Sequence, residues 1–202
     1  MCGRFLPPMR PRTLLLILLS SFFTAYIWFA GSAPGDQELV GVGPEALVPL
    51  YELFNFFGST LPAALTWALL TYLVYRLWGR REGLYTLFTI SYFPLSQIFK
   101  HLVGRVRPNG LLLSYPSGHV MFYCTVIGGF ILLWGRGGGM RRLLSIIIFA
   151  LIYLFSALSR VYVRAHWPSD TVGSLLFSLT LLSLLGDYLI GLGPGNGTEV
   201  EE

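Results

Sequence analysis

A histidine and an aspartate four residues apart are the residues of this chain best suited to catalysis. His166 and Asp170 flank Pro168, which suits the first position of a helix. At this spacing the carboxylate can reach one imidazole nitrogen, fix the tautomer and stabilise the cation that forms when the other nitrogen attacks an electrophile. The pair therefore predicts a nucleophile and its orienting acid. The alternative is that Asp170 serves only as an acid at a helix N-terminus.

Three cations accompany this pair in nearby segments, namely Lys100, Arg107 and Arg160. A phosphate monoester carries about two negative charges near neutral pH, and phosphoryl transfer requires that its oxygens be held while charge spreads over them. Arginine offers planar, forked donors and lysine offers a compact charge. The set therefore predicts phosphoryl transfer. The alternative is that the cations are separate anchors at the membrane interface.

The run Pro116-Ser117-Gly118-His119 begins an apolar stretch. Ser117 suits a helix N-cap, and Gly118 would let backbone N–H groups approach an oxyanion at a helix N-terminus. Helix capping alone would explain these two residues. It would not explain His119, for which a lipid-facing cap has no use.

Three motifs occur in a fixed order along the chain. They are Lys100-x6-Arg107-Pro108, Pro116-Ser117-Gly118-His119, and Ser159-Arg160-x5-His166-x3-Asp170. This order resembles that of the type 2 phosphatidic acid phosphatase superfamily of membrane lipid phosphatases. All three motifs are complete and together span residues 100–170.

The resemblance implies a role for each matched residue. His166 would be the nucleophile that forms a phosphohistidine, Asp170 its partner, and His119 the general acid that protonates the leaving alcohol. The phosphoryl oxygens would bind to Lys100, Arg107, Ser117, Gly118 and Arg160. The same motif set occurs in vanadium-dependent haloperoxidases, but those proteins are soluble, and this chain is too apolar to be one.

The elements that must position these residues are apolar. The chain has 202 residues, of which 54% are hydrophobic and 12% charged. Its apolar stretches are residues 13–30, 53–78, 84–99, 120–134, 143–158 and 172–190. They predict an all-α, polytopic membrane protein with six transmembrane helices, forming one domain over residues 1–202. Residues 1–12 and 191–202 would be cytoplasmic tails, the second of them flexible.

Charge predicts the orientation. Nine arginines fall before span one or in the loops that follow spans two and four, and they mark the cytoplasmic side. Five cations fall in the opposite loops: Lys100, Arg105, Arg107, Arg160 and Arg164. Cations on the outer side indicate an anionic ligand, which predicts an active site at the extracytoplasmic interface. Arg105 and Arg164 match no motif position and are interpreted as headgroup-attracting or solvated residues.

Two segments leave alternatives open. Span one could instead be a cleavable signal peptide, although its 18 residues exceed the roughly 7 to 15 residues of a signal core. The first outer segment, residues 33–52, carries only acids and is interpreted as a solvated surface with a short amphipathic helix. A lid over the site is the other possibility for this segment.

We expect hydrolysis without a metal or other cofactor, since no cluster of carboxylates or thiolates offers metal ligands and fixed cations already neutralise charge. The expected partners are the bilayer and a lipid phosphate entering from the outer leaflet, with no nucleic acid. Phosphatidic acid, phosphatidylglycerol phosphate and a polyprenyl diphosphate such as undecaprenyl diphosphate all fit. The alternative function is a non-enzymatic lipid or anion transporter, which would not need the three residues His119, His166 and Asp170.

Overall fold

Helices form all the regular structure in the described part of the chain. The computed structural model describes residues 9–190, of which 81% are helical and none is in a β-strand. The predicted all-α fold is confirmed. Residues 1–8 and 191–202, which include the predicted C-terminal tail and most of the N-terminal one, lie outside the described residues.

Ten α-helices follow one another in this part of the chain. They are α1 (Pro11–Ala30), α2 (Asp36–Leu39), α3 (Val48–Phe57), α4 (Thr60–Trp78), α5 (Arg80–Phe88), α6 (Tyr92–Val103), α7 (Gly118–Phe122), α8 (Gly128–Trp134), α9 (Gly139–Tyr162) and α10 (Pro168–Leu185). Short 3-10 turns cover Glu45–Leu47, Thr89–Ser91 and Gly135–Gly137. Single π-helical turns cover Tyr123–Ile127 and Gly186–Ile190.

Four helical stretches within residues 9–190 are long and apolar enough to cross a membrane. They are Pro11–Ala30, Gly118–Gly137, Gly139–Tyr162 and Pro168–Leu189. The bent pair formed by Glu45–Phe57 and Thr60–Trp78 makes a fifth if it counts as one crossing. The six predicted spans are thus matched in part, by four or five.

The third predicted span, residues 84–99, is helical but does not form one long apolar helix. The 3-10 turn Thr89–Ser91 divides it between α5 and α6. Helix α5 also begins with the charged residues Arg80, Arg81 and Glu82. This combination of a short helix and charged first turn explains why the segment falls outside the group of long apolar helices.

The second predicted span is bent and not straight. Helices α3 and α4 meet at 73° across Gly58 and Ser59. Ser59 takes an extended conformation, with φ −74° and ψ 159°, which ends the helical hydrogen-bond ladder. The bend turns α3 across one end of the bundle, where it packs on α9.

Helix α1 packs along α10, and a polar cluster joins the two at the end opposite α3. The Thr13 hydroxyl lies 2.6 Å from the Ser183 hydroxyl and donates to the Asp187 carboxylate at 2.5 Å. Arg10 and Arg12 lie 3.5 and 3.4 Å from the same carboxylate. This polar cluster ties the first long helix to the last.

The segments that carry the three motifs meet at one end of the bundle. Helices α6 and α9 end there, at Val103 and Tyr162, while α7 and α10 begin there, at Gly118 and Pro168. The motif residues therefore share one depth along the bundle axis, which is the condition for a common site.

Candidate active site

A cavity of about 500 Å³ opens at this end of the bundle. Six of the predicted site residues line it: Lys100, Arg107, Gly118, His119, Arg160 and His166. The other two, Ser117 and Asp170, are fully buried immediately behind that lining. The structure therefore brings together the residues of all three motifs.

His166 lies in the connection between α9 and α10 and is 2% exposed. Its Nδ1 is 3.5 Å from Oδ2 of Asp170, which is too long for a close hydrogen bond but suits an ion pair once the ring is charged. Because Nδ1 faces the carboxylate, Nε2 is the nitrogen that can react with a ligand in the cavity.

Asp170 is held by donors from three directions. Its Oδ1 accepts from Arg105 Nη1 at 2.6 Å, and its Oδ2 accepts from the Ser114 hydroxyl and from the Trp167 backbone N–H at 2.9 Å. The last contact caps α10, with Pro168 in its first turn as predicted. Asp170 is thus both a helix-capping acid and the neighbour of His166, so the two interpretations of this residue are compatible.

Two cations converge on one backbone carbonyl. Lys100, in the last turn of α6, donates from Nζ to the Leu113 carbonyl at 2.8 Å. Arg107, in the loop after α6, reaches the same oxygen from Nη2 at 3.5 Å. The shared acceptor fixes both charges at the wall of the cavity.

Helix α3 supplies two contacts to the site that the sequence did not predict. The Asn55 side-chain oxygen accepts from Arg160 Nη1, which orients the guanidinium. At the end of the same helix, a Cβ added to Gly58 would lie 2.5 Å from Cδ2 of His119. The bend after α3 thus places two small or polar residues against two predicted site residues.

Ser117 occupies the N-cap position of α7, but its side chain makes no capping hydrogen bond. Its backbone N–H donates to the Ser174 hydroxyl at 2.8 Å, so that donor is already used. The predicted capping role therefore applies to the backbone of Ser117 and not to its hydroxyl. Gly118 follows it in the wall of the cavity.

Several buried donors around the cavity have no hydrogen-bond partner among the described residues. They include Arg107 Nε, Arg160 Nε and the Ser117 hydroxyl. Buried polar atoms are nearly always paired in folded proteins, and a multivalent oxyanion is the ligand that would pair with these donors. Within residues 9–190, no group of three or more His, Cys, Asp or Glu side chains could hold a metal ion.

Comparison with known proteins agrees with this geometry. The model of the PAP2 superfamily matches residues 109–186, which contain the second and third motifs. The lipid A 1-phosphatase of Rhizobium johnstonii is 24% identical over 204 residues, covering 87% of this chain and 79% of that protein. The crystal structure of a transmembrane PAP2-type phosphatidylglycerolphosphate phosphatase from Bacillus subtilis superimposes with a TM-score of 0.72 at 18% identity, covering 90% of this chain and 97% of that one.

The match places residues 109–186 of the chain in the PAP2 superfamily. This confirms the family expected from the motif order, and the relatives named above are phosphatases, in agreement with the predicted enzyme class. The apolar helices and the membrane phosphatase neighbour also make it a multi-pass membrane protein.

Burial sets the charge of His166. Desolvation lowers the pKa of His166 to about 4, and the Asp170 carboxylate offsets part of that effect. The imidazole is therefore neutral near pH 7, which is the form that can act as a nucleophile.

Two charged residues of the outer segments were interpreted wrongly from the sequence. Arg105 was expected to be solvated or to attract headgroups, and Asp36 to belong to a solvated surface, but both are buried. Arg105 Nη2 lies 2.6 Å from Asp36 Oδ2, while its Nη1 contacts Asp170. An acidic residue in a polar loop is read as solvated when no partner is near it in the sequence. The partner of Asp36 is Arg105, which is 69 residues away.

Proposed function

We propose that this protein hydrolyses a lipid phosphate or diphosphate by transferring the phosphoryl group to His166. The observation that carries this proposal is the arrangement around one cavity, in which a buried, neutral His166 faces the same space as three cations and a second histidine. The named activities of two relatives, a lipid A 1-phosphatase and a phosphatidylglycerolphosphate phosphatase, support it.

In the first step the lone pair of His166 Nε2 attacks phosphorus and forms a P–N bond. The P–O bond to the alcohol or phosphate leaving group breaks, and its electron pair stays on the leaving oxygen. His119 donates a proton to that oxygen. The proton on His166 Nδ1 is retained, and the positive ring is stabilised by Asp170 at 3.5 Å.

In the second step water attacks the phosphohistidine. His119, now neutral, accepts a proton from the water while the P–N bond breaks and its electron pair returns to Nε2. Inorganic phosphate leaves and His166 is again a neutral imidazole. The two steps together use one water and leave both histidines as they began.

Fixed cations take the place that a divalent metal holds in many phosphoryl-transfer sites. Lys100, Arg107 and Arg160 surround the cavity, and two of them carry buried donors that lack a partner among the described residues. Such donors match phosphoryl oxygens in charge and geometry. We therefore propose a metal-independent reaction, for which undiminished phosphate release in excess chelator is the expected result.

The phosphate is proposed to belong to a lipid. Beyond the cations the cavity wall turns apolar, with Ala64, Ile90 and Phe93 from α4, the turn after α5, and α6. Phe93 is 45% exposed on the surface of α6. Phosphatidylglycerol phosphate, phosphatidic acid and polyprenyl diphosphate would all present a phosphoryl end to the cations and a tail to this wall.

We propose that the segment formed by α5 and α6 also crosses the membrane, which brings the number of crossings to six. We further propose that both chain ends are cytoplasmic. Arg136, Arg141 and Arg142 flank the end of the bundle opposite the cavity. Since arginines near helix ends favour the cytoplasmic side, this distribution supports a cavity on the extracytoplasmic side.

The test is phosphate release by the detergent-solubilised full chain from three lipids, namely phosphatidylglycerol phosphate, phosphatidic acid and undecaprenyl diphosphate, at equal surface concentration. His166→Ala should reduce release to background with each active lipid. His101→Ala is the matched control, since this histidine is exposed and lies outside the cavity, and it should keep near-normal turnover. Normal turnover by His166→Ala would eliminate the proposed nucleophile.

A further inference from the structure

A single guanidinium joins two buried carboxylates behind the nucleophile. Arg105 lies 2.6 Å from Asp36 through Nη2 and 2.6 Å from Asp170 through Nη1. The side chains are 6%, 1% and 0% exposed, in that order. Charges removed from water to this extent interact strongly, so a change in any one of them acts on the other two.

The Asp36 carboxylate accepts four hydrogen bonds. Asp36 accepts from the Ser169 N–H at 3.0 Å, from the Ser169 hydroxyl at 2.8 Å and from the Ala33 N–H at 2.8 Å, in addition to Arg105. Arg105 also donates from Nε to the Gly31 carbonyl at 3.0 Å and lies 5.5 Å from the Trp167 ring. The short helix α2 is thereby joined to the start of α10, where Asp170 lies.

Asp36, Arg105 and Asp170 together carry a net charge that can be counted directly. Two carboxylates and one guanidinium sum to minus one, and that charge lies beside His166. If Asp36 were absent, the Arg105 charge would cancel that of Asp170, leaving none for a cationic ring. Asp36 therefore offsets Arg105, and Asp170 stays available to His166.

The other charged groups that face His166 are cationic or can become so, and they oppose a positive charge on its ring. The negative charge of Asp170 is therefore needed to stabilise that ring. Lys100 comes from α6, Arg107 from the loop after it, Arg160 from α9 and His119 from α7, and all of them line the same cavity. Each cation raises the free energy of a positive ring on His166. Asp170 is the carboxylate among the cavity's near neighbours that opposes them, through its 3.5 Å approach to Nδ1.

We propose that Asp36 and Arg105 are positioning residues that act through Asp170, and that their opposite charges set how strongly Asp170 stabilises the phosphorylated His166. This inference rests on the proposed phosphohistidine reaction and deepens it. Asp36 in the first outer segment thus contributes to the site without contacting substrate.

Removing a negative and removing a positive charge should have opposite effects on the pH profile of kcat/KM. The quantity compared is the acid limb, which is the pH below which kcat/KM falls as His166 becomes protonated. Asp36→Asn removes a negative charge, so we expect the limb to move to lower pH by about one unit and kcat to fall about tenfold. Arg105→Gln removes a positive charge, so the limb should move to higher pH by a similar amount. The double variant restores the net charge of minus one, and its limb should return to within a few tenths of a pH unit of the wild-type value.

Two further variants separate charge from shape. Arg105→Lys keeps the charge but loses the forked geometry, so kcat should fall while the acid limb stays in place. Glu38→Gln, on the same short helix but exposed, is the matched control and should leave both quantities unchanged. All variants are assayed as full-length protein in the same mixed micelles, with folding checked by size-exclusion profile.

The result expected is the pair of opposite shifts and their cancellation in the double variant. Shifts of the same sign, or a loss of kcat with an unmoved acid limb in both single variants, would overturn the inference, because a purely structural role predicts them. If the wild-type chain and Glu38→Gln release no phosphate from any lipid, the proposed function itself fails, which is a distinguishable outcome.

Discussion

Gly58 and His119 are in van der Waals contact, and the contact leaves no room for a side chain. A Cβ at position 58 would lie 2.5 Å from Cδ2 and 3.1 Å from Cγ of the imidazole. Gly58 lies at the bend that separates α3 from α4, so the same glycine ends a helix and seats the proposed general acid.

Gly58→Ala should therefore displace His119 without removing any ionisable side chain. Because misplacement of a catalytic group by about 1 Å costs about a hundredfold, we expect kcat to fall between tenfold and a hundredfold with a smaller change in KM. Gly137→Ala is the control, since its added Cβ would meet the Arg141 side chain at an ordinary 3.4 Å. Equal kcat in both variants would show that the contact does not position His119.

His119 as general acid predicts a dependence on the leaving group. His119→Ala should lower kcat by roughly 10² to 10⁴ with a lipid phosphate, whose alkoxide leaves poorly without a proton. The loss should be at least tenfold smaller with an aryl phosphate, whose phenolate leaves unaided. An identical loss with both substrates, measured by phosphate release, would contradict this role.

The lowered pKa of His166 predicts activity that persists in acid. A group with a depressed pKa stays neutral as the pH falls, so the nucleophile is available from neutral pH down to about 4 and is lost below that. We expect the acid limb of kcat/KM, corrected for the ionisation of the substrate measured by phosphorus NMR in the same micelles, to lie well below 6.5. A corrected limb at or above 6.5 would contradict the burial argument.

The proposed orientation predicts the location of two loops. A reporter fused after Gly110, between α6 and α7, should be extracytoplasmic, and one fused after Gly138, between α8 and α9, should be cytoplasmic. The reason is that the arginines flanking the second loop favour the cytoplasmic side. The reverse pattern of reporter activity would place the cavity on the cytoplasmic face.

Long apolar helices and motif residues were predictable from the sequence because both depend on local patterns. The start of α10 at Pro168 and the helix of residues 139–162 follow from a proline and an apolar run. The bend after α3 was missed because the apolar run continues past it, although Gly58, Ser59 and Pro62 are local signals that could have indicated the 73° turn.

The charged contacts of the site were predictable only where a motif marked them. Arg160 was expected at the site, but its partner Asn55 lies 105 residues away and was hidden inside an apolar run. Asp36 and Arg105 were missed for the same reason, since their pairing spans 69 residues. A polar residue within an apolar stretch, such as Asn55, is the signal that could have indicated a buried partner.

The formation of phosphohistidine at position 166 is the central claim, and rapid-quench labelling tests it most directly. The full chain is mixed with a ³²P-labelled lipid phosphate, quenched in alkali within one turnover, and digested for peptide mapping. We predict label on the peptide that contains His166, stable in alkali and lost in acid, absent from His166→Ala and retained in His101→Ala. Steady phosphate release without label on this peptide, or label on another residue, would contradict the account.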